Sequence, residues 1–429
     1  MTSTQQRLPG GFYVIMAAQF CSALADNALL IAAIVLLRDF FNSPEYAPLL
    51  KFYFTVSYVA LAAFVGAFAD SMPKGRVMLI SNGIKILGCA MMFFHVDPLL
   101  AYGIVGLGAA AYSPAKYGIL TELLPPRLLV SANAWIEGLT VSAIILGTVL
   151  GGWLLLPPAS TFLTGLNLPG LDTPTAGAIA VIGLLYLAAA LINLYIPNTG
   201  VDHKPVKRNP WYLLRDFGHC VKVLWLDKLG QISLAVTTLF WAAGATLQFI
   251  VLDWAKMALG LDVEHATKLQ AIAAVGMAAG AVVAAWLIPI HRALAVLPVG
   301  VAMGGLVCLM IGVKDPVVAQ AVLVLIGAAA GFFVVPMNAL LQHRGHILVG
   351  AGHSIAVQNF NENAGILVMV AAYYLLGRLE VPVNAAIVLF GLFVSATMVL
   401  VIQWQRRNAR EHGPEIQRLL EVARTSSHP

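Results

Sequence analysis

The sequence predicts an all-α membrane protein of twelve spanning helices, arranged as two pseudo-symmetric bundles of six. Three observations lead there. Of its 429 residues 60% are hydrophobic and only 10% charged, with mean hydropathy +0.85, whereas soluble domains carry roughly 25% charged residues. The apolar residues gather in twelve runs, each near the roughly 20 residues that cross a bilayer as helix. The longest polar interval, about 197–230, divides those runs six and six. So many spans leave no room for a large soluble domain. The net charge of +5 does not imply nucleic acid, because in a membrane chain the placement of basic residues carries the meaning.

In chain order, the first run, 12–37, holds Asp26 near its centre, and the second, 49–69, is rich in aromatics. The third, 75–95, follows a Pro and a basic cluster and contains Lys85; the fourth, 98–119, ends in GAAAYSPAK with Pro114 and Lys116. The fifth, 129–153, carries Glu137 two turns in, and the sixth spans 174–196. After the polar interval come 232–257, ended by Asp253 and Lys256, then 269–289 and 294–312. The tenth, 317–341, ends GFFVVPMNALL with Pro336; 349–377 holds Glu362, and 382–404 closes the set. The expected domains are therefore 1–196, a linker 197–230, 231–404 and a tail 405–429.

With the N-terminus on the cytoplasmic side, 17 of the 25 Lys and Arg fall on that side, six on the other, and Lys85 and Lys116 within helices. That bias places both termini and the central loop in the cytoplasm. Within the loop, Trp211, Leu214, Phe217, Val221, Leu224 and Trp225 recur at three- and four-residue steps. A short amphipathic helix is expected there, either on the inner-leaflet surface or packed under the bundle. Residues 405–429 are too polar to span. The N-terminal MTSTQQRLPGG runs straight into the first apolar segment without a cleavable h-region, so that helix is expected to be retained.

Cys21, Cys89, Cys220 and Cys308 are widely spaced, without a CxxC pair, and are expected to be small buried hydrophobes. Neither metal nor cofactor is expected. Glycines four apart, at Gly147 and Gly151, Gly276 and Gly280, Gly300 and Gly304, and Gly327 and Gly331, permit close helix crossings. The run from Gly106 to Ala111 imitates a dinucleotide fingerprint but has no preceding strand. The halves echo one another: Pro114 and Pro336 are 222 residues apart, and Leu129-Val130-x-Ala132 and Leu348-Val349-x-Ala351 are 219 apart. This fits a parallel repeat of one six-helix unit.

A carboxylate at mid-membrane costs about 2.5–3.5 kcal/mol on insertion scales, so each one needs a partner or a wet cavity. Asp26, with Gln19, Ser22 and Asn27 nearby, reads as a site for a cationic head group or a proton, or as a carboxylate tied to a neighbouring helix. Glu362 lies among Gln358, Asn359, Asn361 and Asn363, too many polar groups for a lipid-facing stripe. Lys116 and Glu137 are a candidate pair at the inner opening, and Lys85 reads as snorkelling to the cytoplasmic interface.

The segments QFCSALADNALL, VGAFADSMPKGRVMLISNGIKILG, GLGAAAYSPAKYGIL, GFFVVPMNALLQHRG and GAGHSIAVQNFNENAG closely resemble the bacterial lysophospholipid transporters of the major facilitator superfamily. The superfamily signature between helices two and three stands here as Gly66, Asp70, Lys74, Gly75 and Arg76, stretched by two residues. The resemblance implies a carrier of lysophosphatidylethanolamine and lysophosphatidylglycerol from the outer to the inner leaflet of the bacterial inner membrane. It also implies an acyltransferase and acyl carrier protein synthetase, expected as a separate polypeptide, and a carrier complete as a monomer. Where the family is associated with a basic residue on helix seven, this chain has Gln248, which shifts anion binding toward Lys116. Asp26, Asn27, Lys116, Gln248, Gln358, Asn359 and Glu362 are thus the expected substrate residues, and Asp70, Lys74, Arg76 and Glu137 the gating set.

A lysophospholipid needs few charges and an apolar wall, which the sparse set above suits better than it suits a sugar. Helix two's Phe52, Tyr53, Phe54, Tyr58, Phe64 and Phe68 and helix eleven's Tyr373 and Tyr374 are either a lateral portal or core packing. A proton-coupled exporter of drugs or other amphiphiles remains the main rival. A membrane lipid enzyme is a second, although no His-x4-Asp, HExxH or GxSxG motif supports it.

Overall fold

The computed structural model describes residues 8–41, 47–202, 209–261 and 263–425. Arg7, Lys204, Lys207 and Arg208, counted above on the cytoplasmic side, lie outside the described residues. Each of the twelve apolar runs is helical. They are α1 (Gly10–Phe41), α2 (Ala47–Ala60) continued by α3 (Ala62–Asp70), α4 (Lys74–Phe93), α5 (Pro98–Leu123), α6 (Leu129–Leu155) and α8 (Pro174–Asn193). The second six are α10 (Gly230–Leu259), α11 (Val263–Leu287), α12 (Leu297–Leu309), α13 (Pro316–Val349), α14 (Ala351–Arg378) and α15 (Val383–Glu411). Nine of these, α12 counted with the 3-10 turns on either side of it (Ile290–Gly312), are among the described residues long and apolar enough to cross a membrane, and α2 with α3, bent by 63°, makes a tenth. The other two, α5 and α14, have 26 and 28 residues, ample at 1.5 Å per residue, but carry polar side chains through their middles.

Among the described residues there are three shorter α-helices: α7 (Ala159–Gly165), α9 (Pro210–Leu226) and α16 (Gly413–Thr425). The amphipathic helix expected from Trp211 to Trp225 is α9. It buries Leu213, Cys220 and Leu224 and packs Phe217 beside Val65, Ala111 and Ala356, while Trp211 and Leu214 stay exposed. The packed edge is thus displaced from the stripe read in the sequence. The tail expected after 404 is helical on both sides of a break at His412: α15 runs on to Glu411, and α16 buries Ile416 and Ala423 and packs on the turns Pro126–Leu128 and Ile290–Val296.

By packing, the chain forms two compact units interleaved along the sequence. The first comprises Met1–Leu123, Ser142–Cys220 and Gly350–Val357. Its core joins α1, α4, α5 and α8 through Leu29, Leu36, Met92, Val105, Ile182 and Tyr186. Gly147 and Gly151 of α6 rest on the Leu24 and Ala28 carbonyls of α1, so a Cβ at either would strike backbone. Gly106 and Gly108 are packing positions too, the first against Phe54 and the second against Ser81 and Lys85.

The second unit comprises Leu124–Val141, Val221–Val349 and Gln358–Pro429. Here α11 and α13 cross with glycines on both sides: Gly276 and Gly280 lie on the Val324 and Ala328 carbonyls, and Gly327 and Gly331 on those of Ala273 and Met277. Small residues let two backbones approach this closely in lipid, where packing rather than hydrophobicity drives helix association. At its edge Arg344 forms a two-pronged bond to Asp227, with Nε at 3.1 Å and Nη2 at 2.6 Å. Asp227 also accepts from the Gly230 amide at 2.7 Å, capping α10. Arg344→Lys keeps the charge but loses the fork, and is expected to destabilise by about 1.5–3 kcal/mol, read as a lower unfolding temperature in detergent.

Candidate functional site

The polar side chains that the sequence scattered along α1, α4 and α5 converge in the first unit. Gln19, Ser22, Asp26, Tyr58, Lys85, Tyr112, Ser113 and Lys116 line one pocket of about 70 Å³. An apolar bundle cannot leave an amine or carboxylate facing lipid, so these groups are gathered inward. Lys85 Nζ donates to Asp26 Oδ2 at 2.8 Å and to Ser22 Oγ at 3.0 Å. The Tyr186 hydroxyl donates to Asp26 Oδ1 at 2.7 Å, and Ser22 in turn donates to Asn82 at 2.8 Å. The ammonium also stands 5.0 Å from the Tyr112 ring centre and 5.6 Å from that of Tyr186, within cation–π range.

Lys85 therefore does not snorkel. Its side chain is 2% exposed, against 21% for Asp26, because Gly108 lets α5 close over its stem and Asp26 provides the counter-charge. Asp26 and Lys116, both expected at the substrate, share the pocket; Lys116 also lies 4.3 Å from the Tyr117 ring centre. The Tyr112 hydroxyl is buried without a hydrogen bond among the described residues, so the pocket retains a group able to bind a further polar atom. Asn27 does not join them. Its amide bonds back to the Ala23 carbonyl at 2.8 Å, and its Cβ packs where α6 passes at Gly147.

In the second unit Gln358 links Glu362 and Asn338, donating at 2.7 Å and 3.0 Å. All three are buried, as is Asn359, and Glu137 lies within electrostatic range of Glu362. Asn133 and Gln342 exchange two amide hydrogen bonds of 2.8 and 2.9 Å, a pairing across 209 residues that no local pattern announces. Gln248 is exposed and lines a different space: an apolar cavity of about 370 Å³ among Phe240, Trp241, Met277, Met303, Leu323 and Phe390. Its backbone carbonyl accepts from Gln270 at 2.8 Å. Lys116 belongs to the first unit and Glu137 to the second.

Of the expected gating set, Asp70 and Lys74 meet and Arg76 is exposed. Lys74 Nζ contacts Asp70 at 2.7 Å and Glu122 at 3.1 Å; Glu122 was not anticipated. Asp70 accepts from the Gly352 amide at 2.7 Å, the His353 amide at 3.0 Å and His353 Nδ1 at 2.7 Å. The two amides are free N–H groups of the first turn of α14, where a carboxylate is favoured by the helix dipole. Gly66 and Gly352 make the approach possible, since a Cβ on either would strike the other segment's backbone or Asp70 itself.

A sequence model of the Major Facilitator Superfamily matches residues 15–368. The lysophospholipid transporters LplT of Escherichia coli (strain K12) and of Shigella boydii serotype 4 are each 40% identical over 399 residues, covering 93% of this chain and 96% of theirs. Among solved structures, a human organic anion transporter superimposes with TM-score 0.72 at 16% identity, over 92% of this chain and 100% of that one. A bacterial homologue of the iron transporter ferroportin gives 0.69 at 13% identity, over 93% and 100%. Those two share the fold alone.

Proposed function

We propose that this chain, which belongs to the major facilitator superfamily and to its lysophospholipid transporter family, carries lysophosphatidylethanolamine and lysophosphatidylglycerol from the outer to the inner leaflet of a bacterial inner membrane. One observation carries the reading: in the first unit Asp26, Lys85 and Lys116 line a polar pocket of about 70 Å³, and in the second unit the larger cavity is apolar. An amphiphile with one acyl chain asks for that combination. Lys116 and Lys85 supply cations for the phosphate and Asp26 an anion for the ammonium. Within the second unit taken by itself, the apolar cavity lined by Phe240, Met277 and Phe390 suits an acyl chain, and Gln358, Asn359 and Glu362 form a buried polar cluster suited to polar atoms. A sugar carrier would need hydrogen-bonding groups spread across its core.

The carrier works by alternating access with lateral substrate uptake, both termini cytoplasmic, the Asp70 cluster bracing the gate. A separate acyltransferase then consumes the lysolipid on the inside. The test is leaflet transfer of labelled lysophosphatidylethanolamine in proteoliposomes, with and without a pH gradient. Wild type is expected to transfer it, and Lys116→Ala and Glu362→Gln to lower the rate at least tenfold, equivalent to about 1.4 kcal/mol. Absence of transfer by well-folded wild type would sink the lysolipid reading and favour an exporter of other amphiphiles.

A further inference from the structure

One cluster within the first unit is only partly used by the transport reading. Asp216 and Cys220 stand four residues apart on α9, so they project from one face, and they meet His353 in the first turn of α14. A ligand atom from each lies within 4.8 Å of the other two. His353 Nδ1 is 2.7 Å from Asp70 Oδ2; a carboxylate only accepts, so Nδ1 carries a proton. In the neutral ring Nε2 then turns its lone pair toward Asp216 Oδ2, 3.4 Å away. Two acceptors that face each other need a cation between them.

The spacing favours a metal ion over a proton. A distance of 3.4 Å is longer than the roughly 2.7–3.2 Å of a hydrogen bond from nitrogen. It matches two ligands at a tetrahedral angle around zinc, which stand about 3.4 Å apart when each is roughly 2.0–2.1 Å from the ion. Cys220 adds a soft sulfur, and the Asp70 to His353 bond is the carboxylate–histidine arrangement that orients a metal-bound imidazole. The Asp216 side chain is 34% exposed, leaving a path for the ion.

We propose that Asp216, Cys220 and His353 bind a divalent ion of the zinc class, with water as a fourth ligand, and that the ion joins α9 to the start of α14. On binding, the Cys220 S–H bond breaks, a sulfur–metal bond forms and the proton passes to solvent, with no change of oxidation state. The whole purified chain, stripped with chelator, is titrated with Co²⁺, whose bond to a thiolate gives a charge-transfer band. Wild type is expected to bind one equivalent and show the band. Cys220→Ser should lose the band, His353→Gln should lose binding, and Asp70→Asn should bind about 10–100-fold more weakly. Zn²⁺ should raise the unfolding temperature of wild type and not of Cys220→Ser; if that variant folds poorly, His353→Gln decides. A band that survives Cys220→Ser, or no cobalt binding by wild type, overturns the proposal, the gap then being filled by a proton on His353. Neither readout depends on lysolipid transfer.

Discussion

Asp26→Asn and Lys85→Met are each expected to destabilise the protein by about 3–5 kcal/mol, because each leaves its partner charged and buried without compensation. The pair is 2.8 Å apart, and the lysine side chain is 2% exposed. In the double variant both charges are gone and the site is close to neutral in volume, so most of the lost stability should return. Transfer of lysolipid should not return, since the double variant still lacks the carboxylate for the ammonium. Unfolding temperature in detergent and leaflet transfer in proteoliposomes separate the two roles. Single variants as stable as wild type would show that the ion pair does not hold α1 to α4. A double variant that transports would remove Asp26 and Lys85 from the substrate.

The second large effect is at the crossing of α11 and α13. Gly280→Ala places a methyl group against the Ala328 carbonyl, and Gly327→Ala places one against that of Ala273. Backbone cannot swing aside as a flexible side chain does, so the cost should reach the upper end of overpacking, about 3 kcal/mol or more. Gly305→Ala is the control, since nothing lies within 4 Å of a Cβ there; in a helix the change is neutral or favourable. The yield of monodisperse protein and its unfolding temperature should fall for Gly280→Ala and Gly327→Ala and stay level for Gly305→Ala. Equal behaviour of the three would mean that the crossing of α11 and α13 has room for a methyl group at these glycines.

These two sites differ in how much of them could be read along the chain. The glycine crossing was legible, because four-residue spacing is a local property of a helix face, and only the identity of the facing helix was missing. The charge pair was half legible. Asp26 stood out as a carboxylate amid apolar residues, but Lys85 had the same sequence signature whether it reached for the interface or for α1. A long flexible stem serves both, and the choice was made by Gly108 of α5, which covers the stem. The cluster of Asp216, Cys220 and His353 was not legible at all. Two of its members sit a turn apart on a linker helix, and the third is brought in from the start of α14.

Hydropathy, chain length and apolar periodicity were enough to establish a polytopic helical chain, its twelve apolar runs and the amphipathic helix between the sixth and seventh. Those properties depend on each residue's own transfer free energy between water and lipid, and that is summed along the chain. Which polar groups share a pocket is a different quantity. Tyr186 on Asp26, Gln342 on Asn133, Glu122 on Lys74 and the amides of Gly352 and His353 on Asp70 are pairings between residues 48 to 283 apart in the chain. Their energy exists only when helices are packed at a given depth and rotation, and neither is encoded in any single segment.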